Sequence, residues 1–508
     1  YESYCYYLCD ETETVMAARP MTSDQFHSGY LIERLNEGQS SIPNTVPQMS
    51  WGQDISGGNT LPCFDNVKMY QVHKGSIGYL HNYKGNDCTL CNEFMQNKPE
   101  QDSDGYYLID TADKLHWFAR YVNGTIQSGN GASARVTKDI TVSDWNPVGS
   151  ESRVYGGIFD GGDHTITINS IHAGATEAGL FGYTNGTVKN VRVAGTITTT
   201  GNTAGGVAAY NNGTISDCTN TASVAAAKTA GGIVGENEQT SWAGSDRTTV
   251  EGCTNSGTVT ATGTGSYAGG IVGRNDVIVR ECTNSSTDIS VNSADSYAGG
   301  IAGYNSRWIQ KCANIAATAS TSANYGGVIG YNTLPDNSMT NIEWVNNCYT
   351  LRNVFVYYAA GGRITDSYTS GGSFSGTGSG TAYQNCYATS SSASGVEVVT
   401  EEKLASGEIA YLLAQKDSIW RQNITVLPKE ASPSFTGAEV FKGQTEENQD
   451  YYHNHSGSGE CQYCKAPSTT KIDGKEYYEL KTSYDLYWFA RKVNKDESGN
   501  YSNAVLCN

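Results

Sequence analysis

The chain has few charges, and fewer cations than anions. Charged residues make up 17% of its 508 residues, and 33 Lys and Arg against 51 Asp and Glu leave a formal net charge of −18. That balance argues against a nucleic-acid or anionic-membrane partner, because binding either needs clustered cations. No apolar run reaches 18 residues, so the sequence offers no membrane-spanning helix and no direct membrane insertion. Helical periodicity is missing from the middle of the chain as well. There the apolar pulses are strand-length, β-branched and bounded by Gly and Asn, which leaves no room for helices of ten or more residues. What the chain has in quantity is glycine, 58 residues, and tyrosine, 34 residues.

Those glycines recur in register. The blocks A-G-L-F-G-Y-T-N (Ala178 to Asn185), A-G-G-V-A-A-Y-N (Ala204 to Asn211), A-G-G-I-V-G-E-N (Ala230 to Asn237), A-G-G-I-V-G-R-N (Ala268 to Asn275), A-G-G-I-A-G-Y-N (Ala298 to Asn305) and Y-G-G-V-I-G-Y-N (Tyr325 to Asn332) start 26, 26, 38, 30 and 27 residues apart. One short apolar pulse per period of this size is the mark of stacked supersecondary units. Each block is followed by a second strand signal and, in all but the first, a recurrent cysteine. Two or three short strands per repeat, each coil about 4.8 Å above the last, predict an all-β parallel β-helix with small α+β connectors at both ends.

Cys218, Cys253, Cys282, Cys312, Cys348 and Cys386 hold the same place in successive repeats, where Val191 and Ser367 also stand. The position therefore requires a small residue, and an inward ladder of unpaired, buried thiols is expected, since parallel neighbours rarely meet disulfide geometry. Asn220, Asn255, Asn284 and Asn314, two residues on, predict a second ladder bonded amide to amide.

A longer repeat lies behind the short one. Thr22 to Ile32 returns at Thr400 to Ala410, Trp51-Gly52-Gln53 at Trp420-Arg421-Gln422, Cys88 to Cys91 at Cys461 to Cys464, and Leu115 to Asn123 at Leu486 to Asn494, with offsets between 369 and 378. The expected organisation is the tail of a preceding solenoid over 1–20 and a connector with a short helix and a Cys-x2-Cys segment over 21–103. A strand-helix cap leads into the solenoid over 104–154, and the solenoid itself fills 155–396. A second connector with His-x-His and Cys-x2-Cys spans 397–472, and 473–508 begin a second cap, so a stretch of a longer array is expected. Capped helices are predicted at Thr22 to Asn36 and Thr400 to Leu413, and from about Thr111 to Val122, where Leu115, Phe118, Ala119 and Val122 share one face. Trp117 and Trp488 are read as buried cap aromatics rather than ligand platforms, and His164 as a turn residue rather than a catalytic one.

With A-G-L-F-G and its A-G-G-I-V-G variants, the chain resembles the GLUG repeat of bacterial surface proteins, named for a Gly-Leu-any-Gly core, here Gly179-Leu180-Phe181-Gly182. The lead-in Asp139 to Val142, Trp145 to Gly149 and Phe159 to Ile166 is similar to the start of these repeats in large modular proteins of Gram-positive gut bacteria. The resemblance covers roughly residues 104 to 396, and 473 to 508 in part. It implies a β-helical array, secreted or at the cell surface, often beside adhesin-like modules. The family includes IgA-specific metallopeptidases, but their His-Glu-x-x-His motif is absent, so that activity does not carry over.

One constellation has the composition of a metal site. His453 and His455 precede Cys461 and Cys464, two imidazoles and two thiols that suit a tetrahedral structural zinc. The first copy keeps His81, Cys88 and Cys91 but has Tyr83 for the second histidine, and a disulfide is the alternative in either copy. No catalytic or cofactor-binding residue is identified. The expected function is a non-enzymatic extracellular or cell-surface adhesin or stalk whose partners are host or microbial glycans or proteins. A carbohydrate-active β-helix, lyase or hydrolase, or the non-catalytic part of a surface peptidase, is the alternative. A carbohydrate-active site needs clustered charged residues on neighbouring coils, whereas the repeated positions here hold mainly Thr, Ser, Asn, Gly and Ala.

Overall fold

The computed structural model describes residues 97–123, 129–173, 175–238, 248–316, 324–333, 345–351, 354–370, 373–390, 393–422, 432–435, 439–444, 450–454 and 467–481, with short segments at 6–8, 19–21, 51–52, 63–64, 83–84, 87–88, 485–486, 489 and 504–506. The chain divides into two compact units, Tyr1–Ser223 and Val224–Asn508. Among the described residues, each contains stacked coils of a parallel β-helix.

In the first unit, strand Tyr107–Ile109 turns through Asp110 and Thr111 into helix α1 (Ala112–Asn123), whose start is held by the Lys114 N–H donating to Thr111 Oγ1 at 3.3 Å. Leu115, Phe118, Ala119 and Val122 are buried on one face, as the 3–4 spacing requires. Phe118 closes the end of the β-helix, 6.0 Å from the Tyr155 ring and 6.1 Å from Phe159. Trp117 is buried too and stacks on Tyr121 at 4.8 Å, so it is a cap aromatic. Above α1 the strands pair in parallel at a step of one coil. Thr187–Lys189 lies on Thr214–Ser216, Phe181–Thr184 on Ala208–Asn211, and Thr165–Ile168 on both Ile140–Val142 and Arg192–Thr198.

The second unit repeats this more regularly. Alanine columns Ala230, Ala268 and Ala298 run to Tyr325, and Val234, Val272, Ala302, Ile329 and Val356 stack on the next face. Each face turns an aliphatic column inward, and Ile233, Ile271, Ile301, Val328, Phe355 and Phe374 are all fully buried between faces. The paired glycines are steric requirements. A Cβ on Gly270 would sit 2.1 Å from the Gly300 carbonyl oxygen and 2.5 Å from Asn284 Cγ, so nothing larger lets the coils approach.

The coils shorten toward the C-terminus. The register pairs Tyr349 with Tyr368 and Tyr368 with Tyr387, a step of 19 residues each time. Among the described residues, no strand of these last coils joins the column of Ala230, Ala268, Ala298 and Tyr325. Their remaining faces fuse into the ten-residue strands Val356–Thr365 and Ser375–Gln384. Beyond them the chain caps its own solenoid. Thr400 is the N-cap of helix α2 (Glu401–Ala405), accepting from the Lys403 N–H. Gly407, at φ 90°, then separates α2 from helix α3 (Glu408–Ala414), so the single helix expected over Thr400 to Leu413 is two. Leu404, Ile409, Leu413 and Trp420 cover Tyr349, Tyr368 and Tyr387. Trp420 donates from Nε1 to Asn347 Oδ1 at 2.9 Å, and Gln422 from Nε2 to the carbonyls of Leu404 and Ala405 at 2.9 and 3.2 Å. That gives a structural reason for the Trp-x-Gln that returns in the sequence.

Candidate functional site

A coil offers function only what it does not spend on stacking. The cysteine and asparagine columns are spent. In the second unit the register aligns Cys253, Cys282, Cys312, Cys348, Ser367 and Cys386, and all five cysteines are free and buried, as is Cys218 in the first unit. Each Sγ donates to the carbonyl two residues before it, as from Cys282 to Arg280 O at 3.1 Å and from Cys348 to Asn346 O at 3.1 Å. Burial drives the thiols of Cys282 and Cys348 well above the ordinary range and Cys386 to about 12. The residue before the cysteine is left-handed: Asp217, Glu281, Lys311, Asn347 and Asn385 have φ of 52°, 56°, 54°, 50° and 51°, and Gly252 has 62°. That kink swings the chain from one face to the next. Nothing in the sequence marks Glu281 and Lys311 for it, since such residues rarely adopt positive φ.

The asparagine ladder runs as expected through Asn255, Asn284 and Asn314, each Nδ2 donating to the next Oδ1 at 3.0 and 2.9 Å. Asn220, in the first unit, donates to Ala222 O and accepts from the Ala222 N–H, as Asn255 does with Gly257. A second ladder escaped the sequence reading. The Asn that closes each glycine block, Asn237, Asn275, Asn305 and Asn332, forms its own chain of amides at 2.9, 2.8 and 2.8 Å.

The residue just before that second asparagine points outward. Along Ala302–Asn305 the pattern is buried, buried, half-buried, buried, with Tyr304 the half-buried position. In the second unit this column reads Glu236, Arg274, Tyr304, Tyr331 and Tyr358. The rings of Tyr304 and Tyr331 stack at 5.8 Å and 8°, and those of Tyr331 and Tyr358 at 4.6 Å and 10°. Tyr267 and Tyr297, from the neighbouring face, meet them edge-on at 5.2 Å (Tyr267 with Tyr304) and 4.8 Å (Tyr297 with Tyr331). Arg274 lies over the Tyr304 ring at 5.3 Å while its Nε donates to Asp276 at 2.7 Å. Burial raises the phenol pKa of Tyr267, Tyr297 and Tyr304, so these hydroxyls remain protonated donors at neutral pH. The Tyr-Asn dipeptides at 210, 304 and 331 were the available signal in the sequence.

Two carboxylates near this face, Glu251 and Asp276, are engaged, while burial and the neighbouring Glu236 hold the Glu238 carboxyl above its ordinary range. Glu251 accepts from Arg280 Nε at 2.6 Å, and Asp276 pairs with Arg274 and accepts from Ser306 Oγ at 2.6 Å. In the first unit His164 faces Asp139 at 3.3 Å in an exposed turn. A polar cleft of about 310 Å³ lies beside α1 among Asp113, His116, Trp117, Arg120 and Asp144. Of the expected zinc ligands, His81, Cys91, His455, Cys461 and Cys464 lie outside the described residues. Cys88 and His453 are described only as backbone, in strands Asp87–Cys88 and Asp450–Asn454. The expected helix over Thr22 to Asn36 and the cap aromatic Trp488 also lie outside the described residues. Among the described residues no group of three or more His, Cys, Asp or Glu could hold a metal ion, and no helix is long and apolar enough to cross a membrane.

Stacked parallel coils, inward ladders and a repeated outer face define a β-helical repeat protein. The family model for the GLUG motif matches residues 226–260, so the chain carries the repeat its glycine blocks resemble. No curated protein matches the chain. Among solved structures, a Bacteroides ovatus protein provisionally described as an immunoglobulin A1 protease is similar at 20% identity and a TM-score of 0.38, over 67% of this chain and 94% of that one.

Proposed function

We propose that this protein is a non-enzymatic, extracellular or cell-surface repeat protein that serves as an adhesin or stalk. The observation that carries this reading is the outward tyrosine column of the second unit, where the residues with freedom to vary form an aromatic ridge and the carboxylates of Glu251 and Asp276 are tied to arginines. A hydrolytic or lyase site needs two or more ionisable groups free to act on one bond. Salt-bridged carboxylates on a ridge supply length and contact instead. Repetition would multiply weak contacts through avidity, because each added unit raises the effective concentration of the next. The zinc suggested by His453, His455, Cys461 and Cys464 is structural in this proposal, and His81, Cys88 and Cys91 form the weaker copy. The test displays the chain on beads, singly and at high density, against host-matrix proteins and a panel of polysaccharides, with product analysis on the same samples. Density-dependent retention without turnover is expected. Turnover that a single acidic substitution abolishes would replace this reading with the enzymatic one, and absence of retention at any density would leave a spacer.

A further inference from the structure

We infer that the ridge of Tyr304, Tyr331 and Tyr358, flanked by Tyr267 and Tyr297, binds an extended neutral polysaccharide of β-1,4-linked sugars, one sugar per coil. This rests on the adhesive reading above and names its ligand.

Geometry is the first argument. Because the three rings stack nearly face to face along the coil axis, their faces are turned to one another and their hydroxyl-bearing edges form a rail. The rail repeats at the spacing of the β-helix, about 4.8 Å. A β-1,4-linked pyranose chain advances by a closely similar step per sugar, so successive sugar hydroxyls can meet successive phenols without either chain bending.

The hydroxyls themselves are the second argument. Those of Tyr267, Tyr297, Tyr304, Tyr331 and Tyr358 make no hydrogen bond to any other described residue. The stacked pair in the first unit differs. There Tyr183, 4.4 Å from Tyr210, donates to Glu177 Oε1 at 3.4 Å, and the Tyr210 hydroxyl lies 2.9 Å from Thr203 Oγ1. One tyrosine pair is closed by its own coil, and the other set has no such partner among the described residues. Half-buried phenols on fixed rings lose little entropy on binding, because neighbouring rings already hold their rotamers.

Charge decides the class of ligand. The one cation on the column, Arg274, is neutralised by Asp276, and Glu236 stands beyond it. The tyrosines bring no charge, and the chain as a whole is at −18. A polyanion therefore meets repulsion, while a neutral glycan meets hydroxyls and ring edges. A protein partner would look for a desolvated pocket to fill, and this surface is a ridge.

The experiment titrates the whole chain by calorimetry with cellohexaose, mannohexaose (β-1,4), maltohexaose and a heparin hexasaccharide. The triple variant Tyr304→Phe, Tyr331→Phe, Tyr358→Phe keeps every ring and removes the three hydroxyls, and Tyr331→Ala breaks the ladder. Circular dichroism checks that both variants are folded. Binding to a β-1,4 hexasaccharide, weakened at least about tenfold in the triple variant, is expected from the loss of three hydrogen bonds. Equal binding by the triple variant, preference for maltohexaose or heparin, or no binding of either β-1,4 hexasaccharide overturns the inference. If the chain then still adheres at high density in the bead assay, the adhesive reading stands without this ridge. If it does not, both fall.

Discussion

Replacing Asn284 by alanine removes few atoms and should cost more than any surface substitution on this fold. Asn284 is fully buried. Its Oδ1 accepts from Asn255 Nδ2 at 3.0 Å and from the Ser286 N–H at 3.3 Å, while its Nδ2 donates to Asn314 Oδ1 at 2.9 Å and to Ser286 O at 3.4 Å. Alanine breaks all four. Asn255 keeps a bond to Gly257 O and Asn314 keeps one from the Ala316 N–H, so each neighbour is weakened and not orphaned. The Ser286 amide loses the partner that turned the chain at this corner. One orphaned buried amide at about 1–3 kcal/mol, with two neighbours losing about 0.5–1.5 kcal/mol each, gives a loss of roughly 2–6 kcal/mol. Urea unfolding followed by circular dichroism, with hydrogen exchange across residues 250–316, would read it. A loss below about 1 kcal/mol would refute the view that the ladder holds the coils in register. Asn284→Asp sharpens the test. A carboxylate can still accept from Asn255 and Ser286 but has nothing to give Asn314, and burial raises its pKa above that of the unfolded chain. Its stability relative to the parent should therefore fall as pH rises from 4 to 7.

Other expectations follow from the same packing. Cys253, Cys282, Cys312, Cys348 and Cys386 should resist alkylation in the native protein even at pH 9 and react on denaturation, because all five are buried out of a reagent's reach and burial also keeps Cys282, Cys348 and Cys386 protonated there. Rapid native labelling would turn the column outward. Tyr325, Tyr349 and Tyr387, each raised to about 12 by burial, hold protons more tightly folded than unfolded. Their contribution is intact below pH 10 and is lost as pH rises toward 12, so melting temperature should drop over that window together with a late phenolate absorbance. Trp420→Ala should cost about 3–5 kcal/mol, with faster amide exchange first at Tyr349 and Tyr368, which it covers. Gly270→Ala, which drives a Cβ to 2.1 Å from Gly300 O, should leave the chain unable to close its coils, seen as lost β signal in circular dichroism.

What the sequence made legible is what stacking repeats. Ala-Gly-Gly, the cysteine and the asparagine two residues later recur because each meets its own copy one coil on, and selection on one column leaves a period in the chain. The face of α1 was legible for the same kind of reason, since Leu115, Phe118, Ala119 and Val122 follow the helical period. The ridge was not. Its column holds Glu236 and Arg274 as well as three tyrosines, because an outward position is not forced to match its neighbour, so the aligned blocks show no single residue type there. The positive φ at Glu281 and Lys311 is set by the turn between faces and not by the residue occupying it. Gly407 within the expected helix was a visible break that an apolar i, i+4 pattern outweighed.

The account rests on the outer face of the second unit doing the protein's work without turnover, and tyrosine footprinting with a β-1,4 hexasaccharide examines that face directly. Hydroxyl-radical modification, read by mass spectrometry with and without the sugar at saturating concentration, reports each tyrosine separately. Tyr304, Tyr331 and Tyr358 should be modified in the free chain and protected by the sugar, which should be recovered intact, while the fully buried Tyr155 and Tyr368 stay silent in both samples. Protection centred instead on the cleft of Asp113, His116, Arg120 and Asp144, or a shortened sugar, would contradict it.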